Sequence, residues 1–252
     1  MRISILTVHG EPYGLKLLNA LRANAIVVDQ VVVGRDVWAS RLRWLRHLAR
    51  RLGWPGAVAY LAWGMRARVF GGAGQGLERD YTKLALRVDD TPTPRSPETR
   101  AALERAGPDL CLLGDTGIVP PSVLAVPRIA TLNAHPGVLP DYRGLDPALW
   151  ALHEDRMDKI GCTLHLVDAG IDTGRVLEVR PYAWRGDETV DRLNRRLTEI
   201  CVEMLVDACR QDWPAYRDRA RPQSGGRLFS AMPLRGWFRV ERKLARLARP
   251  PR

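Results

Sequence analysis

The sequence predicts an α/β domain built on a doubly wound, mostly parallel β-sheet. Apolar runs at 3–8 and 25–33 indicate two buried strands, and a helical pattern at 15–21 lies between them. Such strand–helix–strand alternation is typical of a parallel sheet with helices on its faces. Further strand patterns lie at 109–113, 129–134, 161–167 and 175–181.

Helix signals separate these strands. Ser96 followed by Pro97 predicts a helix start, and Gly107 predicts its end. Pro120-Pro121 predicts a second, short helix. The remaining helical patterns lie at 148–153 and 187–210.

Two segments depart from this alternation. Residues 37–70 predict a helical insertion, because an apolar stripe there is surrounded by arginines. That stripe consists of Trp44, Leu45, Leu48 and Leu52. The arginine-rich end of the chain predicts a basic extension at 213–252, loosely packed from residue 221 and holding one short helix. The main domain is therefore expected at 1–212.

Composition limits the class of protein. The chain has 252 residues and is 46% hydrophobic, which suits one substantial core rather than two large domains. No apolar run approaches the roughly 18 residues of a membrane span, so a cytoplasmic location is expected. The cysteines lack metal-site spacing and are expected to be buried, reduced thiols: Cys111, Cys162, Cys201 and Cys209.

The charge balance favours anionic partners. The formal net charge is +11, from 39 Lys and Arg against 28 Asp and Glu. Such an excess attracts nucleic acid, phosphorylated small molecules or acidic lipid surfaces. A solvated, arginine-rich surface without a specific partner explains the charge equally well.

The stretch TLNAHPGVLPDYRG places a carboxamide and an imidazole at the end of a strand. Asn133 and His135 are two residues apart, so both side chains project from one face of an extended strand. Pro136 and Pro140 stiffen the loop that follows. The pair can present hydrogen-bond donors at the crevice where doubly wound sheets bind ligands.

A second segment, GCTLHLVDAGIDTG, ends a strand in a glycine-punctuated loop. Asp168 and Asp172 lie in this loop, and a carboxylate close to His135 would favour and orient the imidazolium. An ordinary turn or a cation site remains open. Metal binding is disfavoured because the loop lacks further oxygen side chains at regular spacing.

Together, these two motifs resemble the catalytic core of the folate-dependent formyltransferases. The resemblance covers about residues 3–210, with the specific motifs at 109–174. It implies a Rossmann-like formyltransferase domain, 10-formyltetrahydrofolate as the formyl donor and no metal. The catalytic set of the family maps onto Asn133, His135 and Asp172. The implied folate-binding positions are Gly117, Ile118, Val119, Val167, Asp168, Gly170 and Ile171.

Formyl transfer assigns a role to each member of the catalytic set. An uncharged amine attacks the formyl carbon, and its oxygen becomes an oxyanion. Asn133 and protonated His135 would donate to that oxyanion, each donor contributing about 10²–10³ in rate. Asp172 would keep His135 charged and relay a proton from the amine to the leaving nitrogen.

Two departures from the family concern binding. Gly137 stands where some relatives have Ser, and HGEPYGLKLL lacks the Gly/Ser/Asn-rich phosphate loop of glycinamide ribonucleotide enzymes. His9, Tyr142 and Arg143 are candidate substrate contacts. His165, within a strand, is interpreted as a hydrogen-bonded structural histidine.

The acceptor follows from elimination. A methionyl-tRNA enzyme is expected to carry a folded C-terminal domain, and the clustering of a nucleic-acid surface is not evident. The expected acceptor is thus an anionic small-molecule amine, an amino sugar linked to a nucleotide, from polysaccharide or secondary metabolism. N-hydroxyornithine, glycinamide ribonucleotide and methionyl-tRNA remain alternatives, and a homodimer is compatible. The alternative from a different functional class is a non-catalytic basic protein that binds nucleic acid or a membrane surface.

Overall fold

A computed structural model describes residues 1–35, 45–46, 49–50, 53–58, 61–62, 76–213 and 215–248. Its strands are β1 (Ile3–Val8), β2 (Gln30–Gly34), β3 (Val88–Thr91), β4 (Leu110–Gly114), β5 (Ala130–His135), β6 (Tyr142–Gly144), β7 (Gly161–Leu166), β8 (Val176–Pro181) and β9 (Arg227–Phe229). Its helices are α1 (Pro12–Ala23), α2 (Pro97–Ala106), α3 (Pro121–Leu124), α4 (Pro147–His153), α5 (Val190–Ala208), α6 (Ala215–Asp218) and α7 (Leu234–Leu247). Short 3₁₀ turns lie at Tyr81–Lys83 and Met157–Lys159.

The predicted doubly wound sheet is confirmed. Seven strands are hydrogen-bonded in the order β3-β2-β1-β4-β5-β7-β8. The pairs from β3 to β5 are parallel, whereas β7 is antiparallel to both β5 and β8. A separate two-stranded sheet joins β6 to β9 in parallel.

Apolar side chains bury both faces of the large sheet. Helices α1 and α5 contact each other and the central strands on one face, where Leu17, Leu18 and Leu197 are buried. Helices α2 and α3 contribute to a second cluster with Leu6 and Leu113. Each fully buried side chain of this size contributes about 1.5–3 kcal/mol, so the two clusters hold the strand order in place.

Capping residues explain where α2 begins and ends. The Ser96 side chain accepts a hydrogen bond from the Thr99 amide, and Gly107 ends the helix with a φ of 54°. Glycine adopts this left-handed conformation without steric cost. The Pro97–Ala106 helix therefore begins and ends where its capping residues predict.

The second predicted strand is too long at its start. Residues 25–29 form the exit from α1 instead, since Ala25 has a φ of 56° and the Ile26 amide donates to the Leu21 carbonyl. The strand begins at Gln30. The sequence pattern also missed β3, whose residues VDDT lack an apolar run.

The prediction of a loosely packed tail is wrong. Strand β9 pairs with β6, and α7 buries Trp237, Val240 and Leu244. The Lys243 ammonium donates to the Leu152 carbonyl at the end of α4. The sequence predicts one short helix here, but not its packing, because the apolar residues form only one narrow stripe among arginines.

The predicted insertion at 37–70 is described in part. Its described residues, 45–46, 49–50, 53–58 and 61–62, are helical, and Ala57 packs against Ala231 near the start of α7. Trp44, Leu48 and Leu52 of the proposed stripe lie outside the described residues. Within the described ranges, no helix is both long and apolar enough to span a membrane.

Candidate active site

The antiparallel pair β5–β7 brings four polar side chains onto one face of the sheet. Asn133 lies opposite His165, and His135 lies opposite Thr163. Their alternate neighbours, such as Leu132 and Leu164, point into the core on the other side. The two-residue spacing of Asn133 and His135 therefore has the consequence that the sequence predicts.

His135 is buried, and a hydrogen bond from its Nε2 fixes the orientation of the ring. Its Nε2–H donates to the Tyr142 carbonyl at 2.8 Å, since a carbonyl oxygen only accepts. The other ring nitrogen, Nδ1, lies 3.6 Å from Oδ2 of Asp172. With Nε2 engaged, Nδ1 is the nitrogen that remains for chemistry.

Asp172 bridges the two histidines. Its Oδ1 lies 3.7 Å from Nε2 of His165, and its Oδ2 accepts from the Gly144 amide at 2.9 Å. The Asp172 side chain is 14% exposed, against 5% for His135. The carboxylate is thus anchored at one oxygen and close to both imidazoles.

Asn133 is oriented by His165. The Nδ1–H of His165 donates to the Leu166 carbonyl at 2.9 Å, so neutral Nε2 accepts from Nδ2 of Asn133 at 3.2 Å. Burial lowers the pKa of His165, although the charge of Asp172 acts in the opposite direction. The interpretation of His165 as purely structural is incomplete, because it contacts two of the candidate catalytic residues. Only the β5–β7 register reveals this.

The loop that carries Asp172 folds back along the sheet face. It leaves β7 beside Thr131, whose carbonyl accepts from the Val167 amide at 2.9 Å. Asp172 nevertheless reaches His135, at the other end of β5. The candidate site therefore lies along the face of β5 and β7 and extends beyond the strand-end crevice expected from the sequence.

Close packing fixes the loop after His135. The Thr163 hydroxyl donates to the Gly137 carbonyl at 2.7 Å and accepts from the Leu139 amide at 3.1 Å. A Cβ at Gly137 would lie 2.8 Å from Nε2 of His135 and 2.6 Å from the Pro147 side chain. Glycine at position 137 therefore leaves space for the imidazole.

Two loops carry the proposed folate-binding positions. Val119 is buried in the apolar cluster against which Val167 also packs, so the loops at 117–119 and 167–171 border the same cluster. Ile118 is 55% and Ile171 39% exposed, which leaves apolar surface beside this cluster. Gly117 adopts a φ of 66° in the first loop.

Asp168 shapes the second of these loops. Its Oδ1 accepts from the Gly170 amide at 3.1 Å and from the Thr173 hydroxyl at 2.6 Å. Gly170 packs so closely on Thr173 that a Cβ would lie 2.0 Å from its hydroxyl oxygen. Contacts among Asp168, Gly170 and Thr173 therefore contribute to the conformation of this loop.

The candidate substrate contacts occupy different environments. His9 is exposed after β1, and its Nδ1 accepts from Nη1 of Arg35 at 2.6 Å. Arg143 has a buried Nε without a hydrogen-bond partner among the described residues. Tyr142 is buried and its hydroxyl donates to Glu154 at 2.8 Å, so Tyr142 acts on the site through its carbonyl.

No metal centre or reactive thiol lies in the described part of the chain. No group of at least three His, Cys, Asp or Glu residues there could hold a metal ion. All four cysteines are buried and unpaired, as the sequence predicts. Burial raises the pKa of Cys111 and of Cys209 to about 12, which keeps both thiols protonated.

Comparison with known proteins agrees with this architecture. Residues 78–209 match the Formyl transferase family. A methionyl-tRNA formyltransferase from Synechococcus sp. is 34% identical over 147 residues, which cover 54% of this chain and 45% of that protein. One from Geobacter sulfurreducens is 33% identical over 140 residues, covering 53% and 44%. The chain thus spans a little under half the length of these curated relatives.

A solved structure shares the fold at lower sequence identity. Glycinamide ribonucleotide transformylase 1 from Symbiobacterium toebii has a TM-score of 0.55 and 23% identity, covering 89% of this chain and 94% of that one. A sugar N-formyltransferase from a Shewanella species has a TM-score of 0.54 and 14% identity, covering 92% and 77%. At these identities the likeness concerns the fold alone.

Proposed function

Because the chain belongs to the formyl transferase family, we propose that it transfers the formyl group of 10-formyltetrahydrofolate to the amine of a small anionic acceptor. The observation that carries this proposal is the meeting of Asn133, His135 and Asp172 on one sheet face. These groups come from two segments of the chain. They supply the donors and the carboxylate that formyl transfer requires.

The two side chains on β5 stabilise the oxyanion in this proposal. One Nδ2 hydrogen of Asn133 is engaged by His165, which aims the amide and leaves the second hydrogen for the formyl oxygen. Nδ1 of His135, when protonated, supplies the second donor. Their fixed positions avoid reorganisation as charge develops, the condition under which such donors are most effective.

In this proposal, Asp172 transfers a proton from the acceptor nitrogen to the folate nitrogen. Attack by the acceptor nitrogen on the formyl carbon breaks the carbonyl π bond and leaves a proton to be removed from that nitrogen. The carboxylate accepts this proton and returns it to the departing folate nitrogen as the carbon–nitrogen bond breaks. The Gly144 amide keeps one carboxylate oxygen in place throughout.

The loops at 117–119 and 167–171 are the proposed folate site. Exposed Ile118 and Ile171 would cover the faces of the flat pteridine, and buried Val119 and partly buried Val167 form the base. Glycine-containing loops let a ligand approach the backbone closely, which suits the polar edge of the pteridine. The residues present therefore fit this donor.

For the acceptor, we propose an amino sugar linked to a nucleotide. The buried Nε of Arg143, which lacks a partner among the described residues, suits an anionic acceptor group. His9 and Arg35, at the adjoining strand ends, offer a second polar contact for the same molecule. The Shewanella sugar N-formyltransferase with the same fold supports this choice.

Methionyl-tRNA is the second candidate acceptor. The observation that favours it is the 34% identity to the methionyl-tRNA formyltransferase of Synechococcus. The net charge of +11 also suits tRNA. Glycinamide ribonucleotide and N-hydroxyornithine are the other acceptors to be compared.

A comparison of separate acceptors tests this proposal. Purified protein is incubated with 10-formyltetrahydrofolate and one acceptor at a time: nucleotide-linked amino sugars, methionyl-tRNA, N-hydroxyornithine or glycinamide ribonucleotide. Mass spectrometry of the acceptor and release of tetrahydrofolate are followed together. We expect stoichiometric formylation of an amino sugar.

The matched control is the Asp172→Asn variant, which keeps the shape of the side chain and removes its charge. Formylation by this variant at the wild-type rate would overturn the proposed role of Asp172. Turnover with methionyl-tRNA alone would replace the proposed acceptor. Absence of transfer to every acceptor, with no binding of the folate, would reject formyl transfer.

A further inference from the structure

Gln223 reaches the loop of Asp172 from a distant part of the chain. It lies between α6 and β9, about fifty residues after the loop along the chain. Its Nε2 donates to the Asp172 carbonyl at 3.0 Å and to the Gly174 carbonyl at 2.5 Å. One side-chain amide thus binds two carbonyls of the turn that presents the carboxylate, that of Asp172 itself and that of the second residue after it.

The orientation of this amide is determined by its partners. Both acceptors are carbonyl oxygens, so the nitrogen of Gln223 must face them. Its Oε1 is buried and has no hydrogen-bond partner among the described residues. An unsatisfied buried acceptor is unfavourable. The Gln223 amide therefore keeps its two hydrogen bonds to the loop although its own oxygen has no partner among the described residues.

Fixed points on both sides hold Gln223 in place. On one side, Arg221 and Val176 exchange two backbone hydrogen bonds of 2.8 Å. On the other, Gly226 packs on Pro140 so closely that a Cβ would lie 1.7 Å from its carbonyl oxygen. The following β9 then pairs with β6. The segment therefore cannot move away from the loop without breaking these contacts.

The loop needs an external contact because its backbone is unfavourable. Asp172 has a φ of 52°, a left-handed conformation that costs about 1–2 kcal/mol for a residue with a side chain. Gly174 sits against the Leu166 carbonyl with no space for a Cβ. The two hydrogen bonds from Gln223 to the Asp172 and Gly174 carbonyls oppose relaxation of this strained turn.

We propose that Gln223 is a positioning residue that holds the Asp172 loop in its reactive conformation. This inference rests on the proposed function of Asp172. Gln223 acts through the two loop carbonyls and is not a catalytic residue. Its loss would let the carboxylate leave the position between His135 and His165, and a displacement of about 1 Å can cost about 10²-fold in rate.

Two variants at position 223 and one matched control test the proposal. Gln223→Leu removes the polar group at similar size, and Gln223→Glu keeps the shape while removing the donor. Gln211→Leu is the control, because Gln211 donates one hydrogen bond to the Asp207 carbonyl in α5, away from the site. Each protein is assayed for steady-state kinetics, for the pH profile of kcat and for hydrogen exchange.

For both position-223 variants we expect kcat to fall about 10–100-fold while KM for the folate changes little. The pH profile of kcat should shift, because the carboxylate no longer faces His135. Amide exchange in residues 168–175 should accelerate in these variants and stay unchanged in Gln211→Leu. A purely structural role predicts instead a lower melting temperature with kcat per folded molecule preserved.

The exchange measurement separates this inference from the proposed function, because it needs no acceptor. Unchanged exchange at 168–175 in Gln223→Leu would overturn the positioning role, whatever the activity. Faster exchange in the Gln223 variants, in a protein whose wild type is inactive on every acceptor, would support the contact and reject formyl transfer.

Discussion

The Asn133 amide and the His165 imidazole face each other across the β5–β7 pair, with Nδ2 and Nε2 3.2 Å apart. The bond requires a neutral imidazole, since a protonated Nε2 cannot accept. Burial favours this state by lowering the pKa of His165. The orientation of one candidate catalytic side chain therefore depends on the protonation of its neighbour.

Stability should depend on the protonation of His165. Its folded pKa lies below the unfolded value of about 6.5. The unfolded chain therefore binds the proton first, and stability is lost as pH falls below about 6.5 through the folded pKa. We expect wild-type protein to lose more free energy of unfolding between about pH 7 and pH 5 than His165→Gln. Urea titrations at both pH values measure this, and parallel losses would contradict it.

Replacing Asp172 should separate charge from backbone conformation. Asp172→Asn and Asp172→Ala both remove the carboxylate, so each should lower kcat about 10²–10⁴-fold. Asn tolerates a φ of 52° better than Ala. Asp172→Ala should therefore be less stable than Asp172→Asn by about 1 kcal/mol. Equal melting temperatures for the two variants would argue against strain at this position.

Gly137→Ala should impair the site without removing a polar group. The added Cβ would meet Nε2 of His135 and the Pro147 side chain. Either the imidazole or the Pro147 side chain must move, and overpacking of this kind costs about 1–3 kcal/mol. We expect a lower kcat together with a lower melting temperature. A fully active Gly137→Ala protein would show that His135 tolerates displacement.

The packing of α7 predicts a large effect from a small change. Leu244 is 1% exposed, and Leu244→Ala should destabilise the protein by about 2–5 kcal/mol. Ala substitution of exposed Leu247 on the same helix is the control and should change stability by less than about 0.5 kcal/mol. Chemical denaturation measures both. Equal, small effects would restore the prediction of a loose tail.

The sequence predicts the site best where the information is local. The spacing of Asn133 and His135 defines a shared face, and Ser96 and Gly107 define a helix, because neighbours along the chain decide both outcomes. The contact of His165 with Asn133 depends on an antiparallel register that no local pattern specifies. Strand β3 was missed because VDDT is held in the sheet by its neighbours, with Gln30 donating to Asp89 at 2.7 Å.

The pairing of β6 with β9 affects the order in which parts of the protein can fold during synthesis. Residues 227–229 are added long after the three candidate catalytic side chains, and only then can the loop ahead of α4 acquire its second strand. A nascent chain that stops at α5 carries Asn133, His135 and Asp172 but lacks the partners of both loops around them. During synthesis, the reactive arrangement would therefore be among the last parts of the protein to form.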